Sequence, residues 1–137
     1  MSPFYLSLIH KALRILVALI FLQTLYFKFS GAPESVFIFS SLGVEPWGRF
    51  AAGFIELLVC VLFVFPGTVW LGAFMGLGTM FGAMISHIFI LGIEVEKDGG
   101  LLFSLATFCF IGSAILLVWE RQKVFSLINM LLRKGNK

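Results

Sequence analysis

Four long apolar segments dominate this chain of 137 residues. A helix of about 20 residues crosses the ~30 Å hydrocarbon core of a bilayer. The segments that reach such a length are residues 12–29, 47–65, 68–92 and 100–119. Charged residues make up 12% of the chain, against about 25% in soluble domains, which excludes a water-soluble fold. The pattern predicts an all-α integral membrane protein whose four transmembrane helices form a bundle.

The first apolar segment has some features of a secretory signal peptide. Lys11 and Arg14 precede it, and the small residues Ser30, Gly31 and Ala32 follow it. A proline comes directly after this small-residue site and disfavours cleavage there. The segment is therefore interpreted as a retained transmembrane helix.

Lysine and arginine are distributed unequally between the two sides of the predicted bundle. Of the ten basic residues, Lys28, Arg49 and Lys97 lie on one side, and the others lie in the N-terminal flank and the C-terminal tail. Basic residues favour the cytoplasmic side, so both termini are predicted to face the cytoplasm. This bias, with attraction to anionic lipid headgroups, accounts for the net charge of +3. Nucleic acid is not expected as a partner.

Shorter elements are predicted outside the spans. Pro33 and Gly43 bracket a segment that predicts a short helix in the outer interface. Pro66 and Gly67 predict a tight turn between the second and third spans. Residues 1–119 form the predicted transmembrane domain, and residues 120–137 form a cytoplasmic tail with the periodicity of an amphipathic helix.

An acidic loop is predicted between the third and fourth spans. Glu94, Glu96 and Asp98 surround Lys97 there, and Asp98 is placed to cap the last helix. A solvated loop is the main interpretation, and no metal site is assigned. A divalent cation held by these acids is the alternative.

Helical periodicity predicts which side of each span faces the interior. Small residues let helices approach closely in lipid, so the small-residue face of the third span, which bears His87, is predicted to point inward. Arg49 and Glu56 share the inward face of the second span, and Lys28 aligns with Thr24 on the first. In the last span the predicted inward residues are Gly100, Ser104, Thr107 and Ala114, with Cys109 pointing away.

Four ionisable residues of the inward faces gather in the outer half of the predicted bundle: Lys28, Arg49, Glu56 and His87. At 1.5 Å per residue, Glu56 lies about 13 Å, and His87 about 8 Å, from the outer ends of their spans. A carboxylate at that depth needs a partner or must be neutral. The candidate partners are Arg49, Lys28 and His87. Two interpretations stay open: a ligand-binding or proton-handling pocket, and a structural ion pair.

An ordered set of short motifs resembles the DoxX family of small four-helix membrane proteins. The set is Arg14, FKFSG with Lys28, LGVEPWGRFAAGFIELL with Gly53 and Glu56, the turn at Gly67, GAMISH in the third span and DGG before the fourth. It spans roughly residues 11–119, and its order and spacing carry the resemblance. Lys28, Gly53 and Glu56 match the family's most recognisable positions, whereas His87 is more particular to this chain. The resemblance implies a multi-pass protein of the bacterial cytoplasmic membrane.

The resemblance also implies a redox-linked role. The family is named after a subunit of an archaeal thiosulfate:quinone oxidoreductase, and other members are associated with oxidative or thiol stress. A quinone or a small sulfur substrate is therefore expected at the four ionisable residues, with a soluble or peripheral oxidoreductase as partner. No covalent cofactor is expected, because the sequence has no flavin, haem or metal-thiolate motif. Cys60 and Cys109 are interpreted as core residues.

Two further function classes stay open. The first is a non-catalytic membrane scaffold or assembly subunit whose buried charges are structural. The second is a transporter, which is less favoured because the chain has no inverted repeat or broken helix. A homodimer through the glycine-bearing faces also remains an alternative.

Overall fold

A computed structural model describes residues 2–135, without the side chains of 131 and 133–135. Residues 136 and 137 of the predicted tail therefore lie outside the described residues, as does residue 1. The helices are α1 (Pro3–Ser30), α2 (Pro33–Ser41), α3 (Trp47–Val64), α4 (Val69–Ser86), α5 (Leu101–Trp119) and α6 (Arg121–Gly135). A π-helical turn, His87–Leu91, continues α4.

Four helical segments in residues 2–135 are long and apolar enough to cross a membrane. They are Pro3–Ser30, Trp47–Val64, Val69–Leu91 and Leu101–Trp119. This confirms the prediction of an all-α protein with four potential spans. α1 begins well before the predicted start at residue 12, because Pro3 opens the helix and no breaker follows it.

The four long helices form a closed ring. α1 packs on α3 and α5, and α4 packs on the same two helices. The start of α1, the α3–α4 turn and the α5–α6 junction meet at one end of the ring, the α6 end. α2 packs against α1, α3 and the π-helical turn at the opposite end, the α2 end. The orientation of these ends in a membrane stays a prediction.

The predicted inward faces of α1, α3 and α4 are the buried ones. The buried residues include Val17 and Phe21 of α1, Gly53, Val59 and Phe63 of α3, and Gly72, Ala73, Gly76 and Met80 of α4. Large apolar residues on the opposite faces, such as Phe54, Phe74 and Phe81, are exposed on the outside of the ring. In a bilayer they would contact lipid chains, which explains their number.

The predicted face of α5 was wrong. The buried residues of this helix are Ala106, Cys109, Gly112, Ser113 and Leu116. Ser104 is exposed, and its hydroxyl donates to the Gly100 carbonyl at 2.9 Å; the Thr107 hydroxyl donates to the Phe103 carbonyl at 2.8 Å. Hydroxyls satisfied inside their own helix need no partner in the bundle, so they do not mark an inward face. Cys109 lies in the core rather than outside it.

Asp98 caps α5, as predicted. One carboxylate oxygen accepts the N–H groups of Val95 and Gly100 at 2.9 Å each, and the other accepts that of Leu102 at 2.8 Å. Gly99 and Gly100 supply the left-handed turn before the helix, with φ of 63° and 80°. Partial burial raises the pKa of Asp98, but the three backbone donors outweigh it, and the pKa lies below its ordinary value.

Replacing Asp98 tests this cap. Asp98→Ala is expected to lower the free energy of unfolding by about 1 kcal/mol at neutral pH. Because folding lowers the pKa of Asp98, its stabilisation is present above the ordinary pKa and is lost as the pH falls through the folded value, below about pH 4. Thermal unfolding of both proteins in detergent should therefore show a gap at pH 7 that closes in acid. An equal gap at every pH would contradict the ionised cap.

A glycine pair tests the packing of the ring. A methyl group at Gly112 would lie 2.6 Å from Cγ2 of Val17, a stiff and fully buried side chain. Gly112→Ala should therefore destabilise the fold by about 1–3 kcal/mol through overpacking. Gly78 is the matched control, since a methyl group there meets nothing within 4 Å. Gly78→Ala should be neutral or slightly stabilising in the same thermal assay. Equal effects of the two changes would refute this helix packing.

Candidate functional site

The buried acid Glu56 finds its partners on α1. Lys28 Nζ lies 2.9 Å from Glu56 Oε2, and Thr24 Oγ1 lies 2.8 Å from the same oxygen. The Thr24 hydroxyl is also 2.8 Å from the Phe21 carbonyl, so its single proton serves one acceptor or is shared. Thr24 and Lys28 are one helical turn apart on α1 and therefore point the same way. Glu56 is only 3% exposed, and these two side chains are its polar partners among the described residues.

Arg49 is buried on the same face of α3 but pairs with Glu45. Its Nη2 and Nε lie 2.8 Å from Glu45 Oε1, and Nε is 3.0 Å from Oε2. Nη1 donates to the backbone carbonyl of Lys28, in the last turn of α1. The guanidinium also lies over the ring of Phe50, 4.6 Å from its centroid. Arg49 thus holds the end of α1, where carbonyl groups attract a cation.

His87 is buried where α4 changes into its π-helical turn. Its Nδ1 is 2.8 Å from the carbonyl oxygen of Gly92. A carbonyl oxygen only accepts, so Nδ1 carries the proton in this hydrogen bond. Phe103 contacts the imidazole edge-on, with 5.6 Å between the ring centroids. Single π-helical turns are frequent at functional sites, so the position of His87 in one keeps it a candidate functional residue.

The structure brings together only part of the predicted site. Lys28 and Glu56 are directly paired, and Arg49 joins them through the Lys28 backbone. No polar contact links His87 to these three in residues 2–135. Sequence reasoning did not assign Thr24 or Glu45 to the site. Thr24 lies one helical turn before Lys28 on α1, and that spacing was the available signal. Glu45 lies in the turn before α3, where helical spacing gives no signal.

The Glu56 cluster, defined as Thr24, Lys28 and Glu56, keeps unused hydrogen-bonding capacity. Both partners of Glu56 meet Oε2, and Oε1 has no hydrogen-bond partner among the described residues. The Lys28 ammonium has three N–H donors. Among the described residues, Glu56 is the one side chain that accepts from it. The Lys28 side chain is 14% exposed and that of Glu56 is 3% exposed, so Lys28 lies nearer the surface of the helix ring. The cluster therefore offers both a donor and an acceptor to a small ligand.

The cysteines and acids of the described residues are candidate metal ligands only where several lie together. No three or more His, Cys, Asp or Glu side chains in the described residues are grouped to hold a metal ion. In the acidic loop, the Asp98 oxygens already accept backbone N–H groups. Cys109 is buried and Cys60 is half-buried, with its Sγ 3.5 Å from the Ala18 carbonyl oxygen. These two thiols pack in the bundle.

Comparison with known proteins gives no match. No protein-family model, curated protein or solved structure matches this chain. The DoxX resemblance therefore rests on the sequence motifs alone.

The ion pair of Lys28 and Glu56 can be tested by a double-mutant cycle. Lys28→Met leaves the Glu56 carboxylate buried without its ammonium, and we expect a loss of about 3 kcal/mol of stability. The double variant Lys28→Met/Glu56→Leu removes both charges and should recover most of that loss. Gln23→Leu on the exposed side of α1 is the control and should change stability by less than about 0.5 kcal/mol. Additive effects of the two site substitutions in thermal unfolding would show that the side chains are not coupled.

Proposed function

We propose that this chain is a DoxX-like multi-pass membrane subunit that binds a quinone at the Glu56 cluster. Its place would be the bacterial cytoplasmic membrane, with both termini in the cytoplasm. A soluble or peripheral oxidoreductase would be its electron-transfer partner. The observation that carries the proposal is the Lys28–Glu56 pair, in which Glu56 Oε1 and two Lys28 N–H groups have no hydrogen-bond partner among the described residues.

The oxygen atoms of a quinone and of its quinol match this donor and this acceptor. A quinone carbonyl accepts hydrogen bonds, as Lys28 could supply, and a quinol hydroxyl donates one, as Glu56 Oε1 could accept. Reduction of a quinone takes up two electrons and two protons. The partner would provide the electrons, while the Glu56 cluster would orient the oxygens and exchange protons with the nearby aqueous side.

The charge of the cluster favours a quinone over a small sulfur substrate. A sulfur oxyanion would be attracted by Lys28 but repelled by the Glu56 carboxylate 2.9 Å away from that ammonium. A neutral quinone meets no such repulsion, and it enters from the lipid in which it is dissolved. Because Lys28 is the more exposed member of the pair, its side chain would move to admit the ligand.

A non-catalytic scaffold is the second candidate, and a specific observation favours it. Arg49 is engaged by Glu45 and by the end of α1, and His87 Nδ1 is engaged by Gly92. Two of the four predicted ligand residues thus have clear structural partners. In this alternative, the Lys28–Glu56 pair also serves only to join α1 to α3, and the protein assembles or anchors a partner.

Quinone titration separates these functions. Purified protein in lipid nanodiscs is titrated with decylubiquinone and, separately, with menadione, and bound quinone is measured by extraction and absorbance. We expect saturable binding that weakens at least about tenfold in Glu56→Gln, because a hydrogen bond to a charged group is lost. Gln23→Ala, which changes an exposed amide on α1, is the control and should bind normally.

Three further results of the quinone titration decide between the two functions or define the site. Loss of binding in His87→Ala would include His87 in the site, whereas unchanged binding would confine the site to the Glu56 cluster. Absence of saturable binding to the unmodified protein would overturn the quinone proposal. If Glu56→Gln lowers thermal stability but leaves quinone binding intact, the pair is structural and the scaffold function is favoured.

A further inference from the structure

The α6 end of the bundle carries a second set of polar contacts that the proposed function does not use. Glu120, buried at the α5–α6 junction, has Oε1 3.1 Å from His10 Nε2 and Oε2 2.6 Å from Lys123 Nζ. The His10 contact is an ion-pair distance without hydrogen-bond alignment. Lys123 Nζ also donates to the Pro66 carbonyl at 2.9 Å. Lys123 is therefore held between the α5–α6 junction and the α3–α4 turn.

A groove of about 440 Å³ opens beside Lys123. Its walls include Gly67 and Trp70 from the α3–α4 region, and Gln122, Lys123, Ser126 and Met130 from α6. Gln122, Lys123 and Ser126 form the polar part of this lining, and Trp70 and Met130 belong to the apolar part. The groove lies where the long helices end, which is the level of lipid headgroups if these helices span the bilayer.

The charges around the groove favour an anion. Lys123 lines it, and Arg121, two residues earlier on α6, is exposed beside it in sequence. Against these two cations stands the carboxylate of Glu120. Lys123 uses two of its N–H groups on Glu120 and Pro66, and the third has no acceptor among the described side chains, so it can bind a ligand.

We propose that this groove, the α6 groove, binds an anionic phospholipid. Lys123, Gln122 and Ser126 would bind the phosphate, and the Met130 side of the groove would contact the upper acyl chain. Trp70 suits this level, because indoles concentrate at the membrane interface. A zwitterionic lipid also has a phosphate but carries no net charge, so the excess of cations favours phosphatidylglycerol over phosphatidylcholine. The bound lipid would join α6 to the α3–α4 turn.

Fluorescence of Trp70 tests the lipid site in the full-length protein. Trp47→Phe and Trp119→Phe leave Trp70 as the single tryptophan. This protein is reconstituted into phosphatidylcholine vesicles with increasing fractions of brominated phosphatidylglycerol or, separately, brominated phosphatidylcholine, whose bromines quench a nearby indole. We expect half-maximal quenching at a several-fold lower fraction of phosphatidylglycerol. Lys123→Gln should reduce this preference about fivefold.

Two further variants keep the proposal falsifiable. Lys11→Gln removes the same charge from an exposed position of α1 and should change the preference by less than about twofold. Ser126→Asp places a carboxylate in the groove while Glu120, Lys123 and Pro66 keep their own residues, and it should abolish the preference even if Lys123→Gln fails to fold. Equal quenching by both lipids, or a preference that survives Ser126→Asp, would overturn the site. Neither result depends on quinone binding.

Discussion

The contact between Lys28 and Glu56 is the constraint around which the α2 end is built. A carboxylate at this depth of a bilayer is costly, and a cation 2.9 Å away supplies the compensating charge. The pair joins α1 to α3, and the Thr24 hydroxyl beside it fixes the rotation of α1 about its axis. Arg49 then holds the last turn of α1 through the Lys28 carbonyl. Lys28 on α1 and Arg49 on the neighbouring α3 thus hold the end of α1 against α3.

The two ends of the bundle use buried acids in different ways. At the α2 end, the partners of Glu56 meet one oxygen, which leaves the other oxygen and part of the ammonium available. At the α6 end, one oxygen of Glu120 lies 2.6 Å from Lys123 Nζ and the other lies 3.1 Å from His10 Nε2, and the unused capacity belongs to Lys123. An acceptor beside a donor suits a neutral molecule such as a quinone, whereas an excess of cations suits an anionic headgroup. The same residue types therefore support two different proposals.

Sequence reasoning predicted the faces of three spans and failed on the fourth for a physical reason. In α3 and α4, ionisable or small residues recur on one side, and large apolar residues occupy the other. α5 is apolar all round, so its hydroxyl groups were the remaining signal. Ser104 and Thr107 bond to carbonyl groups of their own helix, and that signal was misleading. The buried side instead carries Cys109, Gly112 and Ser113, which allow close packing.

The sequence by itself determined the four spans, the burial of Glu56 and the inward position of Lys28, because hydropathy and helical period are local properties of the chain. Tertiary structure alone decided which charges meet. Arg49, His87 and Lys28 were equal candidates for Glu56 until packing set the distances between helices. Arg49 pairs with Glu45 in the turn before α3, and His87 with the Gly92 carbonyl, since a partner nearby in sequence needs no second helix. Lys28 remained for Glu56 because α1 packs directly on α3.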